Sequence, residues 1–267
     1  MTQAVRYYAA QMRHALIGEL QYRTAAFLLL VGFLFEPIVY LVVWSSVVES
    51  QGGAIGGYTA AAFTAYYIVW TLVRAMNLAL TPYVWDWRIQ RGRLSEFLVQ
   101  PAHPFHRDLA WFAGTKFLWI LLWIPVAAVL VLTFRPELSP TVFQVAAFAV
   151  VIWTAFVVRF LVLYLMGLVT FWTTRGSALF EIIIAIELLL SGRLVPLSVM
   201  PSWVQSVASW LPFKWTFQYP IETLIGRLDN GEIVFGLFMQ VVWAAILGVL
   251  VAVVWKRAVR RYTAVGI

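Results

Sequence analysis

The sequence predicts an all-α membrane protein with six transmembrane helices, and three observations lead to this fold class. The 267 residues are 63% hydrophobic and 12% charged, whereas a soluble domain is roughly 45–50% apolar and about 25% charged. Uncharged windows long enough to cross a bilayer recur along the chain, and the basic residues collect on one side of them. A soluble globule would leave large apolar patches exposed, and a disordered chain would be polar. We therefore expect one transmembrane domain over 1–267.

The membrane spans come from windows that lack charge or tolerate only acidic residues. No charged residue occurs in 50–73, 117–134, 138–158 or 233–255. Two further windows are acidic: 25–47 carries Glu36, and 177–192 carries Glu181 and Glu187. The expected spans are 25–47, 58–82, 109–133, 142–171, 177–192 and 233–255.

The orientation follows from the 19 basic residues. With the N-terminus inside, 13 are cytoplasmic: Arg6, Arg13, Arg23, Arg88, Arg91, Arg93, Arg107, Lys116, Arg175, Lys256, Arg257, Arg260 and Arg261. Four are on the outer side: Arg135, Arg193, Lys214 and Arg227. This bias predicts that both termini are cytoplasmic. The net charge of +7 is then an orientation signal, and no nucleic-acid partner is expected. No cleaved leader is expected either, because 1–24 is polar and lacks a cleavage site.

Three segments outside the spans show helical patterns. Within 1–24, apolar residues share one face of 3–22, which predicts an amphipathic helix on the inner membrane lipids; a plain cytoplasmic extension is the alternative. The inner connection 86–98 pairs an apolar side with exposed charges, which suggests a docking surface for a soluble partner, although a loop joining two spans would also fit. The apolar outer segment 193–232 predicts two short helices that dip into the outer leaflet, the first starting at Pro201 and ending at Pro212, the second starting at Pro220. Asp229-Asn-Gly231 is predicted to be a turn.

Catalytic motifs are absent from the sequence. It contains no cysteine, no phosphate-binding loop and no zinc or serine-hydrolase motif. We expect no catalytic residue, no metal site and no cofactor in this chain.

Charged residues within spans are costly, at about 2.5–3.5 kcal/mol each, so each needs a reason. Arg159 and Glu187 are expected at similar depth, which predicts an ion pair. Alternatively, Glu36, Glu181 or Glu187 faces a polar translocation path or a subunit interface. Arg74 is expected to extend toward the inner headgroups.

Two stretches carry a family resemblance. One is Ser191-Gly-Arg-Leu-Val-Pro-Leu-Ser-Val-Met-Pro-Ser-Trp203, followed by Leu211-Pro-Phe213 and Tyr219-Pro220. The other is Arg91-Gly-Arg-Leu-Ser-Glu-Phe-Leu-Val-Gln-Pro101. With the order of spans, these resemble the membrane subunit of a type II ABC exporter. Arg193 departs from the resemblance, since an apolar residue is expected at that position.

The resemblance implies partners and sites. Two separate ATPase subunits would bind ATP and Mg and dock on the coupling helix 86–98. The residues expected to couple it to the ATPase are Arg91, Gly92, Arg93, Leu94, Glu96, Phe97 and Leu98. Of these, Leu94, Phe97 and Leu98 are expected to fill the ATPase groove, and the charged residues to contact its rim. A second permease, identical or homologous, would complete a path along the first, second and fifth spans. An outer re-entrant gate would contain Pro196, Pro201, Trp203, Pro212 and Pro220. The membrane would be the cytoplasmic membrane of a prokaryote.

The substrate and the energy source leave alternatives. A chain this apolar and aromatic, with few central charges, fits amphiphilic drugs, lipids or glycan-lipids better than ions. A self-sufficient secondary transporter is the main alternative, although such proteins commonly have broken helices in both halves, and the sequence predicts a break only in the second half. A membrane scaffold is the third.

Overall fold

The computed structural model describes residues 3–21, 23–173 and 176–262, and the side chains of these residues except 23–34, 176 and 177. Every regular element in these ranges is a helix. The α-helices are α1 Gln3–Gln21, α2 Arg23–Ser50, α3 Ala60–Asn77, α4 Thr81–Gln90, α5 Leu94–Leu98, α6 Pro104–Phe134, α7 Val142–Val169, α8 Gly176–Leu190, α9 Ser202–Trp210, α10 Pro212–Thr216, α11 Gln218–Ile225 and α12 Asn230–Ala258. Short 3₁₀ turns cover Leu197–Val199 and Val259–Arg261. The predicted inner cation Arg175 and the Arg23 side chain lie outside the described residues.

Three helices in the described part of the chain are long and apolar enough to cross a membrane by length and composition: Pro104–Phe134, Val142–Val169 and Asn230–Arg261. Reciprocal side-chain caps fix the starts of two of them. Thr141 and Gln144 cap α7, and Asp229 and Glu232 cap α12. The predicted all-helical class is confirmed. The predicted turn at Asp229-Asn-Gly231 is wrong, because Asp229 is the N-cap of α12 and Asn230 and Gly231 are its first two residues.

The second predicted span is not continuous. The sequence predicts one helix over 58–82, but α3 ends at Asn77 and α4 begins at Thr81, so 78–80 are not helical. Pro82 in the first turn of α4 explains the interruption, since proline has no N–H to bond the carbonyl of Leu78, four residues earlier, and its ring clashes with that carbonyl in a continuous helix. The expectation that only the second half contains a broken segment is therefore wrong.

The predicted coupling helix 86–98 is two helices. The first is the end of α4, and the second is α5. Gly92 lies between them with φ 64°, a left-handed conformation that glycine adopts without steric cost. The turn at Gly92 thus separates α4 from α5.

The outer segment contains three short helices rather than two. Pro201 is the N-terminal cap of α9, Pro212 both follows α9 and starts α10, and Pro220 is the third residue of α11 instead of its first. Pro212 was expected only to stop a helix, but its fixed φ also suits a first helical position.

The core lies around α7, which packs against α3, α4, α11 and α12. α1 runs along α6, where a Cβ on Gly114 would lie 2.6 Å from the Met12 carbonyl oxygen. A similar close approach occurs where the buried Trp85 ring packs on Gly167. These contacts hold α1 and α4 against the bundle.

Candidate functional site

The break after α3 leaves main-chain carbonyls without helical partners, and two buried cations bind them. Lys116 of α6 places Nζ 3.3 Å from the Ala75 oxygen and also donates to the Leu78 oxygen. Arg159 of α7 donates to the Asn77 oxygen. Cations stabilise a helix C-terminus because its carbonyls carry partial negative charge. The break is therefore built into the core. Lys116 is 1% exposed, so it packs inside the helix bundle; its expected cytoplasmic placement stays a prediction.

Arg159 also joins the break to α8. Its Nε lies 2.7 Å from Glu187 Oε1, and a second nitrogen lies 3.1 Å from Oε2. Both residues are buried, and the guanidinium stands 5.3 Å from the centre of the Phe217 ring. These are the two residues that the sequence analysis paired. One arginine thus connects α3, α7 and α8.

Asn77 links the same break to the outer segment. Its side-chain amide donates to the Thr216 oxygen at 2.6 Å, and the residue is 1% exposed. Asn77 and Lys116 were not among the predicted site residues. The available signals were an amide inside an apolar run and a lysine within the predicted span 109–133.

A cavity of about 450 Å³ opens beside the break. Its lining combines cationic, acidic and apolar side chains. The residues are Arg74, Leu78, Ala79, Leu80, Tyr83, Arg159, Phe180, Glu181, Ile184, Arg193 and Phe217. The cavity therefore brings Arg159, Glu181 and the unexpected Arg193 into one space.

Glu181, which lines this cavity, and Glu36, which pairs with the lining residue Arg74, both have hydrogen-bond partners. Glu36 lies 2.5 Å from Arg74 and accepts from the Tyr40 hydroxyl at 3.2 Å. Arg74 therefore turns toward α2, and the expectation that it extends to the inner headgroups is wrong. Glu181 accepts from the Tyr83 hydroxyl at 2.6 Å.

Two helices next to the cavity present apolar side chains that the described chain does not cover. On α2, Phe35 is 68% exposed and Val42 is 58% exposed. On α8, Ile182 is 57% exposed and Leu189 is 51% exposed. An apolar face of this kind marks contact with lipid or with another protein.

The predicted coupling segment 86–98 makes many contacts within the chain. Leu94 is fully buried, so the expectation that it enters a partner's groove does not hold. Two guanidinium groups contact the Phe97 ring, with their carbons 4.2 Å (Arg88) and 4.6 Å (Arg107) from the ring centre. Arg88 in turn forms a two-pronged pair with Asp108, both distances being 2.7 Å. Phe97 and Leu98 are only partly buried.

The exposed part of this segment is charged. Arg91, Arg93 and Glu96 are exposed, and Arg93 lies 2.7 Å from Glu96. Tyr262, after α12, accepts from the Ser95 N–H and donates to the Gly92 oxygen, both at 3.2 Å. The C-terminal part of the chain thus holds the turn between α4 and α5.

The predicted gate residues are distributed along the outer segment. Trp203 is 67% exposed on α9, and Pro201 is exposed beside it. Pro196, Pro212 and Pro220 are buried. The five predicted gate residues therefore do not share one environment: two are exposed and three are buried.

These features define a multi-pass membrane protein with a charged cavity among its helices, the architecture of a membrane transport component. Residues 34–266 match a family model described as ABC-2 family transporter protein. The chain belongs to this family, which comprises transmembrane components rather than ATPases. No curated protein matches the chain.

Proposed function

We propose that this chain is the transmembrane subunit of an ATP-driven exporter of amphiphilic or lipid-like substrates. The observation that carries the proposal is the cavity beside the α3–α4 break, which offers arginines and apolar side chains in one space. An amphiphile needs both kinds of contact. Membership of the ABC-2 family supports the transport role.

The proposed topology has six spans, α2, α3, α6, α7, α8 and α12, with the outer segment re-entering the membrane. α8 has 15 residues, so it rises only about 22 Å, and the outer helices complete that crossing. Hydrogen bonds favour this arrangement, because irregular backbone in a membrane must be satisfied by protein. The Tyr67 hydroxyl donates to the Leu194 oxygen at 2.8 Å, and the Leu197 N–H donates to Gln218 at 2.9 Å.

Two permeases, identical or homologous, form the path in this proposal. The exposed apolar faces of α2 and α8 support this proposal, because they lie beside the cavity and a second permease would bury them. The partners beneath are two ATPase subunits, which bind ATP and Mg. They contact the exposed charges of the 86–98 segment.

Orientation in the cytoplasmic membrane of a prokaryote can be tested with single cysteines, since the chain has none. A Ser95→Cys variant should resist an impermeant thiol reagent in intact cells and react after lysis. A Ser206→Cys variant on α9 is the matched control and should react in intact cells. The reverse pattern would overturn the proposed orientation.

Purification in mild detergent tests the function itself. A tagged chain should bring down an ATPase with a phosphate-binding loop, and the number of permease species will distinguish a homodimer from a heterodimer. The reconstituted complex should hydrolyse ATP faster when substrate is present, whereas the isolated chain should not bind ATP. Transport by the chain alone, driven by an ion gradient, would instead support a secondary transporter. No transport by the complete assembly would favour a scaffold.

A further inference from the structure

We propose that the cavity beside the α3–α4 break binds an anionic group, a carboxylate or a phosphate on an apolar tail, and that Arg193 is the residue that selects it. This inference rests on the proposed function and narrows its substrate class from amphiphiles to acidic amphiphiles. Arg193 is also the residue at which the chain departs from the resemblance drawn from its sequence.

Arg193 differs from the two other arginines of the lining, because no ion pair of Arg193 occurs among the described residues. Arg159 is bound by Glu187 and Arg74 by Glu36. In the described part of the chain, Arg193 Nε is buried and has no hydrogen-bond acceptor. A buried guanidinium is costly without a partner, and an anion entering the cavity supplies one.

Glu181, the acidic residue in the lining, does not fill this role. It accepts a hydrogen bond from Tyr83 and precedes Glu187 by six residues on α8, which is about 9 Å along the helix axis. Arg193 follows the opposite, C-terminal end of the same helix. The cavity therefore has an acidic end and a cationic end.

The backbone around Arg193 is fixed before any ligand arrives. Tyr66 donates to the Gly192 oxygen at 2.6 Å, and Tyr67 donates to the Leu194 oxygen at 2.8 Å. The Arg193 N–H donates to the Ser191 hydroxyl at 3.1 Å. A binding group on a rigid support loses less entropy when it engages a ligand.

The remaining lining suits the apolar tail of such a ligand. Leu78, Leu80 and Ile184 supply aliphatic surface, and the Phe217 ring lies 5.8 Å from the Arg193 guanidinium carbon. Arginine pairs with carboxylate and phosphate through two parallel hydrogen bonds. The lining thus favours ligands that carry an anionic group for Arg193 and an apolar tail for the aliphatic residues.

Binding of a fluorescent acid to the full chain tests this proposal. The chain is placed in phosphatidylcholine nanodiscs, and energy transfer from its 14 tryptophans to 11-(dansylamino)undecanoic acid is titrated. The uncharged amide of the same probe controls for apolar partition. The variants are Arg193→Gln, Arg193→Lys and the matched control Arg135→Gln, which removes an exposed outer arginine away from the cavity.

We expect wild type to prefer the acid over the amide, and Arg193→Gln to raise the Kd for the acid about tenfold, as loss of a charged hydrogen bond does. Arg193→Lys should retain most of the preference, and Arg135→Gln should retain all of it. Unchanged amide binding in Arg193→Gln will show that the variant is folded. Equal binding of acid and amide to wild type, or full acid binding by Arg193→Gln, would overturn the proposal.

Phosphatidylglycerol added to the nanodiscs distinguishes two sources of the anion. Competition with the probe means that a phospholipid headgroup occupies the site, and lack of competition means that free acidic amphiphiles do; either supports the anion site. The assay contains no ATPase, so its failure would leave the proposed exporter intact. Failure to recover an ATPase would likewise leave the binding result standing.

Discussion

Lys116 on α6 donates a hydrogen bond to the main-chain oxygen of Leu78, at the break between α3 and α4. The lysine is buried, and its side chain takes the place of the helical N–H that the break removes. The interruption is therefore part of a fixed core arrangement, in which side chains from α6 and α7 supply the missing donors.

Replacing Lys116 should destabilise the fold. Lys116→Met keeps the apolar stem and leaves the Leu78 oxygen without this donor, which costs about 1–3 kcal/mol for a buried group. Thermal unfolding in detergent will measure the loss. Lys256→Met, at an exposed position on α12, is the matched control and should change little. A Lys116→Met protein as stable as wild type would show that the break does not need this donor.

The Arg159–Glu187 pair gives a second stability prediction. Glu187→Ala leaves a buried arginine without its carboxylate, and breaking such a pair costs about 3–5 kcal/mol. Glu187→Gln should cost less, because its side-chain oxygen still accepts from Arg159. Unfolding temperatures of the two variants, compared at one detergent concentration, provide the measurement.

The double variant Arg159→Met, Glu187→Leu checks whether the two residues act as a pair. It removes both buried charges, so it should be more stable than Glu187→Ala. Full recovery is not expected, because Arg159 also binds the Asn77 oxygen. A double variant no more stable than either single change would contradict the pairing.

The stability of the folded protein should depend on pH through His103, at the N-terminal end of α6. This residue caps α6, its Nδ1 accepting from the Phe105 N–H at 3.1 Å. Partial burial lowers the pKa of His103 from its ordinary value, and nearby His106 lowers it further. The folded state therefore binds a proton less readily than the unfolded state, whose histidine titrates near about 6.5. Stability should be full above that pH and should fall as the pH drops below it.

Unfolding temperatures at pH 7.5 and pH 5.5 test this dependence. His103→Asn retains a capping oxygen but does not titrate, so it should lose less stability on acidification than wild type. His14→Asn is the control, since His14 lies on α1 and caps no helix. The same acid sensitivity in His103→Asn as in wild type would assign the effect to another group.

Much of the helical framework follows from the sequence, because uncharged windows and capping residues act locally. The Arg159–Glu187 contact was also predictable, because a buried charge is costly without a partner and these two opposite charges lie at similar depth in adjacent apolar helices. The contact of Lys116 with the break could not be predicted in this way. The depth of Lys116 in the bundle depends on where α6 begins, and this helix begins at Pro104, before the apolar window. The break at 78–80 had one local signal, Pro82.

The role of Arg193 at the cavity could not be predicted, for a different reason. Arg193 is one charge at the edge of an apolar outer segment, and its lack of an acceptor depends on how Glu36 and Glu187 pair elsewhere. Such an assignment requires the three-dimensional distribution of all charges. Leu94 shows the same limit, because the side of a short helix that faces the core depends on the turn at Gly92.

The coupling segment gives the last prediction, which concerns transmission of ATP turnover to the membrane. Gly92→Val places a β-branched residue at φ 64°, where such residues are strained. Phe97→Ala removes the ring that Arg88 and Arg107 contact. Both changes should disorder the segment that presents the exposed charges to the ATPase. We expect lower substrate-stimulated ATPase activity, or loss of the ATPase, in each reconstituted complex.

Arg93→Ala is the matched control for these two variants. Arg93 is about half exposed and pairs with Glu96, three residues further along the chain, and exposed ion pairs contribute about 0.2–1 kcal/mol. Its loss should leave the segment in place and produce a mild, salt-dependent change in ATPase association. The three variants should therefore separate into two severe defects and one weak defect in a single assay of activity and subunit retention. Normal coupling in both Gly92→Val and Phe97→Ala would move the docking element elsewhere, with α1 as the next amphipathic segment to examine.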